Sequence, residues 1–233
     1  MMELDHVTKI YQQGRRTVHA VRGVSLRIDG GEFVSIMGPS GSGKSTLMHL
    51  LGALDTPTSG RALFDGRDLR EMSDRQRSLL RRNRIGFVFQ FFNLLPTLTA
   101  AENVAMPLLL GGVSRRAAGK KADAALDHVG MLNRAEHFPE EMSGGEMQRV
   151  AVARALVTEP EAVLCDEPTG NLDSTNARDI LSLLRRLPQV GRCAVVMVTH
   201  DRTAGAIADR IVHIQDGLLD SEERIEVRPA VAV

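Results

Sequence analysis

Short apolar runs bounded by glycine and polar clusters fill both ends of the chain, and an Ala/Leu-rich stretch fills its middle. Leu4 to Ile10, Val18–Ala20 and Ser25–Ile28 predict short strands. Val24, Leu26 and Ile28 alternate with Ser25 and Arg27, the period of a half-buried antiparallel strand. Phe33–Met37 is a strand-sized apolar run, and the spacing of Leu47, Leu50 and Leu51 predicts a helix from Lys44 to about Gly52. The Thr56–Gly60 cluster predicts a loop, and Arg61–Phe64 a strand closing in a turn at Asp65-Gly66. Ser73 to about Arg82 reads as a strongly basic helix, and Ile85–Phe89 as a buried strand.

Beyond Gln90 the texture changes. Thr99 to Val129 is helical in pattern, interrupted by Pro107 and Gly111-Gly112, and residues 91–157 hold no convincing strand. Strand and helix then alternate: Ala162–Cys165, a helix over Ser174–Leu187, a strand at Ala194–Thr199, a helix over Asp201–Ile207, and a last strand at Arg210–Gln215 before Asp216-Gly217. The order predicts an α/β fold with a doubly wound core. The core comprises residues 1–90 and 158–220, with antiparallel strands at its N-terminal end. Residues 91–157 form an inserted helical subdomain, and 221–233 a C-terminal tail that frays over Arg228–Val233. No internal repeat is present.

Composition narrows the partners. The 233 residues suffice for one large domain with a sizeable core. Lys plus Arg total 29 and Asp plus Glu total 29, so no global field favours nucleic acid or anionic lipid. With no Trp and one Tyr, little is left for base-stacking platforms, and no nucleic-acid partner is expected. Cys165 and Cys193 lie in apolar runs without metal-ligand spacing and read as reduced, buried thiols. The N-terminus lacks the basic flank and apolar stretch of a secretory signal, and no apolar run approaches membrane-span length.

The chemistry concentrates at Gly38-Pro39-Ser40-Gly41-Ser42-Gly43-Lys44-Ser45-Thr46. This is G-x-x-x-x-G-K-[ST] between a strand and a helix, the context in which it cradles phosphate. Glycines let backbone N–H groups converge on phosphate oxygens, and the helix N-terminus adds a favourable dipole. Lys44 is then expected on the β- and γ-phosphates and the Ser45 hydroxyl on Mg²⁺. The pattern predicts a nucleoside triphosphate ligand. A second element, Ala162–Glu167, is an apolar strand ending in two acids. Asp166 there is placed to hold Mg²⁺ through water, and Glu167 to orient or deprotonate an attacking water. A third, Met142-Ser143-Gly144-Gly145-Glu146, opens a helix: Ser143 is a plausible N-cap, and Gly144 and Gly145 leave donors open to an anion.

Taken together, these motifs resemble the nucleotide-binding subunit of an ATP-binding cassette (ABC) transporter, from about Leu4 to Leu218. The family's phosphate loop matches Gly38–Thr46, its signature motif Ser143–Glu146, and its Mg²⁺ strand with catalytic glutamate Ala162–Glu167. Its junction glutamine matches Gln90, its dimer-spanning loop Asn171-Leu172-Asp173, and its switch histidine His200. Met142 and Glu146 replace the usual Leu and Gln, keeping size or polarity. The resemblance implies a phosphate-loop NTPase core with an antiparallel β subdomain and an inserted helical subdomain. It also implies an Mg-dependent ATPase that pairs head to tail with a second copy, each ATP lying between Lys44 and the partner's signature residues. Lys44, Glu167 and His200 would be catalytic, Gln90 would contact Mg²⁺ or water, Asp173 would lie in the dimer-spanning loop, and Tyr11 would stack on adenine. His6, His19, His49, His128, His137 and His213 have no such context and read as structural.

Leu54–Gly60, Phe91–Pro96, Thr99–Val104 and Gly170–Asp173 look most like the lipoprotein-release and macrolide-exporter branch. That branch works with separate membrane subunits of few spans and a large extracytoplasmic domain. The resemblance thus places the chain at the cytoplasmic face of the cell membrane, peripheral and soluble when isolated. Phe91–Pro96 would line the groove that receives the membrane subunit's coupling helix. A cell-division ATPase that signals to a non-transporting membrane partner is closely similar and is the alternative reading.

Overall fold

The computed structural model describes residues 1–14, 16–191 and 193–225. In chain order the strands are β1 (Met2–Gln13), β2 (Arg16–Ile28), β3 (Phe33–Met37), β4 (Ser59–Phe64), β5 (Arg67–Asp68), β6 (Ile85–Phe89), β7 (Ala162–Asp166), β8 (Ala194–Thr199), β9 (Arg210–Gln215) and β10 (Leu218–Arg224). The helices are α1 (Lys44–Leu51), α2 (Asp74–Arg84), α3 (Ala100–Leu110), α4 (Arg115–His128), α5 (Gly144–Leu156), α6 (Ser174–Gly191) and α7 (Arg202–Gly205). Single 3-10 turns at Leu132–Arg134 and Pro139–Glu141 precede α5.

Two sheets form. One is antiparallel, in the order β2-β1-β4-β5; the other has six strands in the order β10-β9-β3-β8-β7-β6. Within the second, β9, β3, β8, β7 and β6 are mutually parallel, and β10 turns back antiparallel on β9. Every residue of β3 and β8 is buried, the pattern of parallel strands covered on both faces.

Strand alternation divides the interior into two layers. Val163 and Cys165 of β7, with Val195 and Met197 of β8, face one layer with Val104, Leu126, Val150 and Ile180 of the helices. Ala162 and Leu164, with Val196 and Val198, face the other, where Leu47, Leu50 and Leu51 of α1 meet Leu4, Leu26 and Ile28 of the antiparallel sheet. The period of two thus turns each parallel strand into a partition between cores. Both cysteines are free and buried, and burial pushes the Cys193 thiol up to about 11.

Helix starts follow local chemistry. Ser73, Thr99 and Ser143 each close a capping box, with Gln76, Glu102 and Glu146 three residues on. The helical stretch expected from Thr99 to Val129 is two helices, α3 and α4, separated at Gly111-Gly112, where Gly112 has φ +84°.

Pro107, expected to interrupt the helical stretch, lies inside α3 without breaking it. Four further expectations differ from the structure. The short strands at Val18–Ala20 and Ser25–Ile28 are one strand, β2, which stays paired to β1 through register shifts. α6 continues through Pro188 to Gly191, held to the sheet by buried Ile180, Leu181, Leu183 and Leu184. α7 is a single turn, with Asp201 as its N-cap. Finally, the tail expected from 221 begins within β10. Asp216 (φ +50°) and Gly217 (φ +78°) make a two-residue hairpin turn of the primed type that suits a twisted ribbon. Cross-strand pairs Arg210–Glu222 and His213–Glu223 join β10 to β9. The fraying expected over Arg228–Val233 falls outside the described residues.

The helical segment packs on the parallel sheet at very close range. An added Cβ on Gly86 of β6 would lie 2.4 Å from the Ala155 carbonyl oxygen of α5. The obstacle is backbone, so strand or helix must shift. Gly86→Ala is expected to lower unfolding free energy by about 1–3 kcal/mol, measured as a lower urea midpoint with an unchanged slope.

Candidate functional site

Strand register brings the site together. Met37 pairs with Thr199, and Asp166 with Val198, so the ends of β3, β7 and β8 lie side by side. The loop after β3, the acids ending β7 and the Thr199-His200 pair ending β8 therefore share one edge of the sheet, outside the carboxyl ends of its strands.

The loop leads directly into α1. Gly43 is the residue before the helix, with φ +104°, and an added Cβ would lie 2.3 Å from the Ala20 carbonyl oxygen. Only glycine meets both constraints. It supplies no side-chain cap, so the first N–H groups of α1 are left for an anion. Lys44 is buried and donates to the carbonyls of Gly38 (2.9 Å) and Pro39 (2.8 Å) of its own loop. Burial lowers its pKa, while Glu167 and Asp166 oppose that shift. The result is a desolvated cation held between carbonyls and facing two acids.

The acids differ in their surroundings. Asp166 accepts a long hydrogen bond from the Ser45 hydroxyl at 3.4 Å, and burial pushes its carboxyl above the ordinary range. Glu167 sits in the left-handed region, at φ +46°. Its backbone N–H donates to the Val198 carbonyl at 2.9 Å, which fixes the turn. Its Oε2 accepts from the Thr199 hydroxyl at 3.1 Å, and its Oε1 from the His200 backbone N–H at 3.1 Å. His200 Nδ1 lies 2.7 Å from the same Oε1. A carboxylate only accepts, so Nδ1 carries the proton and Nε2 is the free nitrogen.

Gln90 closes the far side. Its Nε2 donates to Asn171 Oδ1 at 3.2 Å, and Asn171 Nδ2 donates back to the Gln90 carbonyl at 3.1 Å. Lys44, Ser45, Gln90, Asp166, Glu167 and His200 line an open cleft of ≈ 860 Å³, together with Val18, His19 and Ala20 of β2 and with Phe91 and Asn93. A second, more apolar groove of ≈ 570 Å³ lies behind it, lined by Leu54, Phe87, Leu95, Met106 and Leu110. Phe89 and Asn93 belong to both walls.

The structure gathers Pro39, Ser40, Gly41, Gly43, Lys44, Ser45, Thr46, Gln90, Asp166, Glu167 and His200 around the cleft. Gly38 and Ser42 lie in the same loop behind it; Ser42 is buried, and its N–H bonds the Pro39 carbonyl. Other candidate residues stand elsewhere. Tyr11 does not line the cleft: its hydroxyl donates to Asp55, which also holds Lys9. Its strand partner Val18 is the residue that does. Ser143, Gly144, Gly145 and Glu146 are at the start of α5, away from the cleft lining. Glu146 is occupied by the Ser143 N–H and Arg134, and the Ser143 N–H is the main cause of its lowered pKa. Asp173 caps α6, accepting from the N–H groups of Thr175 and Asn176. His19, expected to be structural, instead borders the cleft mouth. Thr199 and Asn171 hold Glu167 and Gln90 without having been assigned those contacts. Their signal was position alone, one residue before His200 and inside the Asn171–Asp173 loop.

The geometry is that of a phosphate-loop nucleotide hydrolase. A match to the ABC transporter family spans residues 21–170, and the chain belongs to that family. It is 46% identical over 221 residues to "Lipoprotein-releasing system ATP-binding protein LolD" of Bordetella pertussis, covering 95% of this chain and 96% of that protein. It is 44% identical over 232 residues to "Macrolide export ATP-binding/permease protein MacB" of Bdellovibrio bacteriovorus, covering 99% of this chain. The chain spans about a third of that protein's length (35%). Its fold superposes on the ATP-binding cassette MJ0796, solved as a dimer in a post-hydrolysis state bound to ADP and Pi. The TM-score is 0.89 at 43% identity, over 97% of this chain and 99% of that one. The protein is thus an ATP-binding, ATP-hydrolysing cassette of the LolD and MacB type. Among the described residues, no helix is long and apolar enough to cross a membrane.

A buried carboxylate with a raised pKa costs the empty protein stability when ionised. Asp166→Asn keeps the shape and the Ser45 contact while removing the charge. The nucleotide-free variant is expected to melt at a higher temperature than the parent at neutral pH. Scanning calorimetry checks this, and a lower melting point contradicts it.

Proposed function

We propose that the chain is the ATPase subunit of a membrane export or lipoprotein-release system, working as a head-to-tail pair with a second copy around two ATP molecules. The observation that carries this is the separation of two half-sites in one chain. The cleft presents Lys44, Glu167 and His200, while Ser143–Gly145 open α5 outside it. A symmetric pairing completes each cleft with the other copy's signature end. The dimeric post-hydrolysis structure of MJ0796 supports the same arrangement.

In this reading, the open N-terminus of α1 and Lys44 take the β- and γ-phosphates. The donor set also fits Mg²⁺. The Ser45 hydroxyl and the desolvated Asp166 carboxylate are oxygen ligands facing a phosphate site. Ser45, Asp166 and Gln90 would hold the ion, which supplies charge neutralisation on the phosphates. Glu167 orients the attacking water and takes its proton. Thr199 and the His200 backbone keep that carboxylate aimed, and His200 would donate to the γ-phosphate from Nε2 when that nitrogen also carries a proton. Val18 marks the side of the cleft for the base, and Tyr11, outside the lining but paired with Val18 on the neighbouring strand, would have to turn its ring toward the cleft to stack on adenine. Asp173 stays at the dimer-facing loop as the cap of α6.

The output goes to separate membrane subunits with few spans and a large extracytoplasmic domain, at the cytoplasmic face. The apolar groove, with exposed Leu54, Leu95 and Leu110 in its lining, is the surface for their coupling helix. Relatives named for lipoprotein release and macrolide export favour transport over cell-division signalling.

Glu167→Gln removes the base while leaving the phosphate contacts. Turnover is expected to fall by about 10²–10⁴ with ATP binding retained. Size-exclusion with light scattering should then show a species of twice the 25.4 kDa chain in ATP. Normal turnover, or a monomer in saturating ATP, contradicts the proposal.

A further inference from the structure

The loop Phe89-Gln90-Phe91-Phe92-Asn93 is the common wall between the nucleotide cleft and the apolar groove. Phe92 (φ +57°) and Asn93 (φ +52°) both lie in the left-handed region. Phenylalanine adopts that conformation where its surroundings hold it there. The holding groups come largely from one helix. Arg154, near the end of α5, donates from Nη2 to the Phe92 carbonyl at 2.7 Å and from Nη1 to the Asn93 carbonyl at 2.5 Å. Gln148, on the same helix and fully buried, donates from Nε2 to the Phe89 carbonyl at 3.3 Å. The same Nε2 lies 2.5 Å from the carbonyl of Pro168, the residue after Glu167.

Neither side chain is placed there for stability alone. Burial lowers the pKa of Arg154, and no carboxylate offsets it. Gln148 Oε1 is buried without a hydrogen-bond partner among the described residues. Apolar side chains of similar volume would avoid both penalties but would leave the Phe89, Phe92, Asn93 and Pro168 carbonyls without these donors. What the two polar groups supply is direction: they fix loop carbonyls on either side of Gln90. α5 also begins at the signature residues, and the Phe92 ring comes within 3.6 Å of where a Cβ on Gly144 would stand.

We infer that Arg154, seconded by Gln148, is a positioning residue that makes the Gln90 loop and the signature helix move as one body. The inference rests on the proposed function. Occupancy of the cleft at Gln90 and docking in the groove act on one loop, and Arg154 transmits that displacement to Ser143–Gly145 at the other end of α5. Loss of Arg154 leaves the phosphate contacts intact but lets the loop relax without moving the helix.

The chain contains no tryptophan, so Phe91→Trp, at a side chain 73% exposed on this loop, gives a single fluorescent reporter. In that background, Arg154→Met and Arg154→Lys are compared with the parent for four quantities: fluorescent-ATP affinity, kcat and KM, reporter emission on adding ATP, and melting temperature. Arg154→Met is expected to keep affinity and KM within about threefold while kcat falls about tenfold or more and the reporter's response to ATP disappears. Arg154→Lys, which keeps donors for the carbonyls, should recover most of both. Should Arg154→Met not fold, Gln148→Met carries the same prediction. Parent-like kcat and emission response in Arg154→Met overturn the inference. So does a loss that tracks melting temperature and is not rescued by lysine. A wild-type chain, with Phe91 in place, that neither binds nor hydrolyses ATP overturns the functional reading itself, an outcome distinct from the first two.

Discussion

Parallel pairing of β3, β8 and β7 places charges of opposite sign at one sheet edge, and their partial desolvation governs the rest of the design. The register that sets Met37 beside Thr199 and Asp166 beside Val198 also sets Lys44, Asp166 and Glu167 around one cleft. Burial shifts both Lys44 and Asp166 toward their neutral forms. Such groups are costly in an empty protein and become favourable when a polyphosphate and a cation arrive between them. The strands that hold them are correspondingly dense, with all of β3 and β8 buried between two apolar layers.

The same logic separates the groups that act from those that aim. Glu167 is held by Thr199 and His200 in a left-handed turn, so its carboxylate direction is set before any ligand binds. Gln90 is held by Asn171, and its loop by Arg154 and Gln148 from α5. Each aiming contact ends on one oxygen, of a backbone carbonyl, a side-chain amide or a carboxylate. Small movements of α5 or of the loop therefore change what reaches the cleft. This couples the ATPase chemistry to the apolar groove on the far side of Phe89 and Asn93.

Much of this was legible from local pattern. The apolar runs of β3, β6, β7 and β8 are continuous because both their faces are covered, and the phosphate loop announces itself by glycine spacing between strand and helix. β10 was illegible because its exposed residues alternate with nothing, although Asp216-Gly217 carries a hairpin signal. The roles of Glu146 and Asp173 as helix caps, and of Tyr11 as the partner of Asp55, depend on contacts that spacing does not reveal. Gln148 and Arg154 escaped notice for a related reason. On a helix the period alone cannot tell a polar side chain facing solvent from one buried against distant carbonyls.

The central claim is that a complete catalytic site takes its phosphate loop from one copy and its signature motif from another. Mixing two inactive variants tests it most directly: Lys44→Ala, which lacks the phosphate contact but keeps the signature, and Ser143→Arg, which does the reverse. Randomly exchanged dimers should regain about a quarter of wild-type ATPase activity, because about half of them carry one intact site of two. A mixture as inactive as its parts would contradict the composite site.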